Sequence, residues 1–165
     1  MNRPLKLIIF DLDGTLVDVG GFKRVHEKKE KLYNGCLEML ETLSKKKEIL
    51  LAIATGKSLR GTKKLLSDYD ISHYFTSLQT PDNSHAKPNP NMIINAMNKV
   101  GLDKKDVLMI GDTTLDMKMA KAAGVKAIAV SWGFQPIEIL KEAGASLAIN
   151  DYNELVLAIG EFTNA

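Results

Sequence analysis

Four aspartates of this chain fall in two tight pairs. Asp11 and Asp13 stand in Asp11-Leu12-Asp13-Gly14-Thr15, and Asp112 and Asp116 stand in Gly111-Asp112-Thr113-Thr114-Leu115-Asp116. Between the pairs lie two further polar points, Thr55-Gly56 and Lys87-Pro88. Each follows a short apolar run or the loop after one. A parallel sheet made of those runs would bring all four points to its carboxyl edge, where ligands bind in open α/β sheets. Carboxylates brought that close repel one another unless they are protonated or neutralised. A hard divalent cation neutralises them. Mg²⁺ takes oxygen ligands, keeps waters and commonly shares the oxygens of a substrate phosphate. With Lys87 adding one positive charge, the set reads as a metal-assisted phosphate site.

Taken singly, each piece has a plainer explanation. Asp-Gly marks turns, Thr-Gly after a strand marks a cap or loop, and a single Lys belongs on a surface. It is their order, each at a strand end, that turns and caps alone do not explain. Two rival motifs fail. Gly56-Lys57-Ser58 resembles the end of a P-loop, but the first glycine of that motif would fall at Leu51. Asp11 to Gly14 resembles the start of a calcium loop, whose sixth and twelfth positions here are Leu16 and Phe22 rather than Gly and Glu.

The elements that must position these residues alternate. Leu7–Phe10, Ile49–Ala54, Val107–Ile110, Val125–Val130 and Ser146–Ile149 are short apolar runs suited to strands buried on both faces. Helical patterns lie between and after them, at about 35–46, Leu59–Tyr69, Asn91–Val100, Met117–Ala123 and Ile137–Ala143, with a sixth helix capped by Asp151. Gly101, Gly124 and Gly144 mark C-terminal stops. The pattern predicts an α/β fold: a three-layer, Rossmann-like, doubly wound and mainly parallel sheet. Asp18 to Tyr33 departs from it. Lys23 to Lys31 carries five Lys/Arg against two Glu, which suits a solvated hairpin or helix, or a basic flap that attracts an anionic substrate.

The 165 residues make one domain, able to bury about 70% of its unfolded surface. A single cysteine, Cys36, excludes an intrachain disulfide and suits a reducing, cytoplasmic setting. The net charge of +2 predicts neither nucleic-acid nor membrane binding. No apolar run approaches a membrane span or a signal-peptide core. The three histidines and Cys36 show no zinc-ligand spacing. Cys36 suits helix packing, and Trp132 suits rim packing.

The motifs resemble those of the haloacid dehalogenase superfamily, in its phosphoglycolate phosphatase-like branch. DLDGTLVD at 11–18 is similar to the family's nucleophile motif, Thr55 to its phosphate-binding Thr, Lys87 in HAKPNP to its third motif, and GDTTLD at 111–116 to its acidic motif. AKAAG at 120–124, VSWGF at 130–134 and the final ASLAINDYNEL look like the same branch. The resemblance implies Asp11 as nucleophile and Asp13 as general acid and base. It implies Thr55 and Lys87 at the phosphate, with Leu12, Gly14 and Gly56 as further substrate contacts. The implied metal is Mg²⁺, held by Asp11, the Asp13 carbonyl and Asp112, with Asp116 in the same cluster.

Relatives in this branch carry a helical cap soon after the first motif, whereas here only Val19 to Tyr33 precedes the next helix. The expectation is therefore a single core domain over residues 1–165, with 19–33 as a short flap in place of a separate cap. The expected activity is a Mg²⁺-dependent phosphomonoesterase acting on a small phosphorylated metabolite, with phosphoglycolate or a sugar phosphate as candidates. Action on a macromolecule, and a non-catalytic phosphate-binding module, are the alternatives. A monomer is favoured over a homo-oligomer, since no long apolar surface helix is evident.

Overall fold

The computed structural model describes residues 5–20 and 30–164. Six strands form one parallel sheet: β1 (Lys6–Phe10), β4 (Ile49–Ala54), β5 (Phe75–Gln79), β6 (Val107–Gly111), β7 (Lys126–Val130) and β8 (Leu147–Ile149). Their order is β5-β4-β1-β6-β7-β8. β1 is central, with Ile8 beside Leu51 on one side and Leu108 on the other. The order reverses at β1, so the crevice at the carboxyl ends of β1, β4 and β6 is the place for a ligand.

Alternation along β1 divides the core. Ile8 and Phe10 face the layer of α1 (Cys36–Ser44), α2 (Leu59–Asp68) and α6 (Tyr152–Asn164), packing in a cluster with Met39, Leu40, Leu66, Leu155 and Ile159. Leu7 and Ile9 face α3 (Asn91–Val100), α4 (Thr114–Ala123) and α5 (Ile137–Glu142), with Met92, Ile93, Met117, Ala120 and Leu140. All five residues of β1 are buried. This is the three-layer α/β architecture expected from runs apolar on both faces.

The helix ends obey local chemistry. Gly101 and Gly124 take the left-handed conformation at the ends of α3 and α4. At the start of α6 the Glu154 N–H donates to Asp151 Oδ1, while Glu154 Oε2 accepts from the Asn150 N–H.

Two parts differ from the sequence reading. β5 has the sequence FTSLQ and was not expected as a strand. It lies at the edge of the sheet, where polar Thr76, Ser77 and Gln79 replace the apolar run of a central strand. α4 begins at Thr114, three residues before the expected start at Met117, because Thr113 and Asp116 form a capping box. Within the irregular segment after β1, β2 (Val17–Asp18) pairs antiparallel with β3 (Lys31–Leu32). The basic stretch at Lys23 and Arg24, and His26, lie outside the described residues.

Candidate active site

Strand β1 ends at Phe10, and the Asp11 N–H donates to Ile110 O on β6 (2.9 Å). The first pair of aspartates is thereby tied to the strand that carries the second. Asp11, Asp112 and Asp116 are all buried, and each offers one carboxylate oxygen to a group whose members lie within 4.8 Å of one another. Lys87 reaches in from the loop before α3. Its Nζ donates to Asp11 Oδ1 at 2.8 Å and to Asp116 Oδ1 at 2.6 Å. Burial alone would lower the Lys87 pKa, but the charges of Asp11 and Asp116 outweigh it and raise the value. The ammonium is therefore fixed as a cation.

Both oxygens of Asp116 accept hydrogen bonds. Its Oδ2 accepts from the N–H groups of Asp112 and Thr113 and from Thr113 Oγ1, while its Oδ1 takes Lys87. It works as the third residue of a capped helix and as the seat of Lys87. Asp112 is held from two sides, accepting from Thr15 Oγ1 at 3.2 Å and from the Phe134 N–H at 2.9 Å. The chain leaves room for it by omitting side chains. A Cβ on Gly14 (φ 86°) would lie 2.0 Å from Asp112 Oδ2, and one on Gly133 would lie 2.3 Å from Asp112 Cβ. Burial pushes Asp11 up to about 7, against the lowering effect of Lys87. Asp112 and Asp116 are raised, again mainly by burial.

Asp13 stands apart from the three-carboxylate group. Its Oδ1 is buried without a hydrogen-bond partner, and its Oδ2 lies 3.8 Å from Lys57 Nζ. Burial raises its pKa, with Lys57 opposing. The four carboxylates meet two lysine ammoniums, Lys87 and Lys57. Lys57 is itself paired with Glu30, so the carboxylates here outnumber the lysine ammoniums that meet them. Asp11 and Asp112 are also within hydrogen-bonding reach of each other, so they need a shared proton or a cation between them. Both observations fit a hard divalent metal, to which Asp11, Asp112 and Asp116 each offer a carboxylate oxygen.

Thr55 closes β4 and is buried, and its Oγ1 accepts the Lys57 N–H at 3.1 Å, leaving its hydroxyl proton to donate. The N–H groups of Leu12, Asp13 and Gly56 make no hydrogen bond among the described residues. Three unspent amides near a lysine and a hydroxyl suit a phosphate. Gly56 was expected there as a substrate contact. Leu12 can contribute only its main chain, because its side chain is in the core. Gly14 spends its N–H on Val17 O at 2.8 Å, and its lack of a side chain leaves room for Asp112.

Sequence reasoning assigned nothing to Lys57, Thr15, Thr113 or Gly133. Lys57 was visible only as part of a failed P-loop, and the other three act through contacts distant in sequence or through a helix start that was misplaced. Trp132 is a brace. Its Nε1–H and the Tyr152 hydroxyl both donate to Thr15 O, at 3.0 and 2.7 Å. Cys36 is buried on α1, its thiol pushed up to about 12 by burial. His85 is exposed, with its main-chain N–H on Asn91 Oδ1.

Such a fold, with these acidic loops at the carboxyl ends of its central strands, defines a class of hydrolase. Residues 21–130 match the haloacid dehalogenase-like hydrolase family, and the chain belongs to that family. A Dickeya dadantii protein named "Probable phosphatase IndB" is 36% identical over 126 residues, covering 76% of this chain and 54% of that protein. Phosphoglycolate phosphatase 1 of Pseudomonas aeruginosa is 29% identical over 126 residues, covering 76% of this chain and 46% of that protein. The chain thus spans about half the length of these curated relatives. A haloacid dehalogenase-like hydrolase from Streptococcus pneumoniae has the same fold, with a TM-score of 0.79 at 21% identity over 94% of this chain and 98% of the other. Among the described residues no helix is long and apolar enough to cross a membrane.

Proposed function

We propose that this chain is a divalent-metal-dependent phosphatase that hydrolyses a small phosphomonoester through an aspartyl phosphate on Asp11. The observation that carries the reading is the cluster of Asp11, Asp112 and Asp116 with Lys87 bonded across it. Asp11 Oδ attacks phosphorus and the bond to the leaving oxygen breaks. Asp13 gives its proton to that oxygen. Asp13, now a carboxylate, then takes a proton from a water that attacks the phosphorus of the aspartyl phosphate. Inorganic phosphate departs and Asp11 is regenerated.

Burial keeps the Asp13 carboxyl raised, which favours the protonated form that the first step needs. Thr55, Lys87 and the free amides of Leu12, Asp13 and Gly56 hold the phosphoryl oxygens where charge develops. Mg²⁺ held by Asp11 and Asp112 would cancel repulsion between the carboxylates and the phosphate dianion.

The reading includes a single core domain, with residues 19–33 in the place of a cap, a monomeric state and a cytoplasmic setting. The relatives named phosphoglycolate phosphatase support a small phosphorylated metabolite as substrate, phosphoglycolate or a sugar phosphate. Turnover of a generic phosphomonoester with Mg²⁺, lost in excess chelator, is the expected result. Phosphate binding without turnover would replace this reading with that of a binding module.

A further inference from the structure

Lys57 lies outside the carboxylate cluster, yet its side chain is folded back to the edge of the site and is only 16% exposed. Its N–H on Thr55 Oγ1 fixes its main chain at the phosphate end. Its Nζ lies 3.8 Å from Asp13 Oδ2 and is bonded at 2.5 Å to Glu30 Oε1. Glu30 comes from a pinned backbone: its carbonyl accepts from the Tyr69 hydroxyl at 3.0 Å, and the next residue, Lys31, is in register with Asp18. The Glu30 carboxylate, by contrast, ends a rotatable and partly exposed side chain. The pair opens onto a cleft of about 470 Å³ lined also by Lys31 and by the Lys64–Asp68 ion pair.

Any oxygen that leaves phosphorus must meet Asp13 to receive its proton. Lys57 Nζ is close enough to that carboxyl that a negative group one or two bonds beyond the departing oxygen comes within its reach. In the free protein this place is held by a carboxylate of the chain itself. Lys57 is largely sheltered but the Glu30 carboxylate is partly exposed, so Glu30 can swing into water while an incoming anion takes over its bond to the ammonium.

We propose that Lys57 selects the leaving group. The preferred substrates are phosphate esters or anhydrides whose leaving group carries its own anion beside the departing oxygen, and Glu30 holds the ammonium until that anion displaces it. This rests on the phosphatase reading above.

The test compares 2-phosphoglycolate with its neutral amide, 2-phosphoglycolamide. The ratio of kcat/KM for the acid over the amide should fall by about 10- to 100-fold in Lys57→Met, the scale of one lost charge-assisted hydrogen bond. Lys57→Arg should restore much of the ratio, and Glu30→Gln should lower KM for the acid. An unchanged ratio in Lys57→Met overturns the proposal while leaving the phosphatase reading intact. Titration calorimetry of the Asp11→Asn protein with both compounds, with and without Lys57→Met, makes the same comparison without turnover. Loss of the preference for the acid upholds the role of Lys57, and equal binding of acid and amide in both proteins overturns it. Failure to hydrolyse a generic phosphomonoester as well as these two compounds removes the phosphatase reading, and the calorimetric result still decides on Lys57.

Discussion

The Thr15 hydroxyl donates to Asp112 Oδ1 across 97 residues of sequence. The other oxygen of that carboxylate accepts the Phe134 N–H. Asp112 is therefore oriented by the loop after β1 and the loop after β7 together, and its position depends on three strands keeping their register. Fixing ligand carboxylates by outer partners is how proteins tune a metal site.

The glycines around Asp112 should be intolerant. Gly133→Ala would drive a methyl into the Asp112 side chain, which cannot yield without losing Thr15 or Phe134. Metal affinity should fall by about 10- to 100-fold, the usual cost of disturbing an outer-shell partner, read by Mg²⁺-dependent thermal shift. Gly56→Ala is the contrast, since nothing lies within 4 Å of its added Cβ, and it should leave metal affinity unchanged.

Asp11→Asn should abolish turnover, because an amide does not displace a leaving group from phosphorus. Asp13→Asn should reduce kcat by about 10²- to 10⁴-fold while still binding phosphate. Steady-state assays read both. Near-normal rates in Asp11→Asn would remove it from the nucleophile role.

Mg²⁺ should stabilise the protein more at high pH than at low. Asp11 is pushed up to about 7, and Asp13, Asp112 and Asp116 are raised, all chiefly by burial. The folded state then keeps protons that the unfolded chain has released. The metal-free protein loses stability as pH rises from about 4, the unfolded carboxyl value, through about 7. A cation replaces those protons. The Mg²⁺-induced rise in Tm should be larger at about pH 8 than at about pH 5. An equal or larger rise at the lower pH contradicts this account.

Thr113→Ala removes the cap of α4 and one of the donors to Asp116 Oδ2. A loss of about 1–2 kcal/mol in denaturant unfolding is expected. Thr113→Ser, which keeps the hydroxyl, should recover most of it.

Strand β4 and helix α3 have the bounds that the sequence predicted, because a doubly buried strand and a helix between Pro90 and Gly101 are written in local residue types. β5 was illegible for the opposite reason: an edge strand needs no apolar run, and FTSLQ becomes a strand only by pairing with β4. The first turn of α4 is hidden in an acidic motif, where Thr113 and Asp116 serve the site and cap the helix at once. Of the site, the motif residues could be picked out by type and order. The contact between Lys57 and Asp13 could not, since 44 positions separate them and only the sheet brings β1 beside β4.

Trp132 is the only tryptophan in the chain. Its indole N–H is spent on the carbonyl of Thr15, the residue whose hydroxyl holds Asp112, and its ring meets that of Tyr152 edge-on at 4.8 Å. Emission excited at the red edge of the indole band, where tyrosine does not absorb, therefore originates from one residue, two hydrogen bonds from a carboxylate of the cluster. A metal-induced shift of Asp112 that moves Thr15 should therefore change that emission, with no label needed.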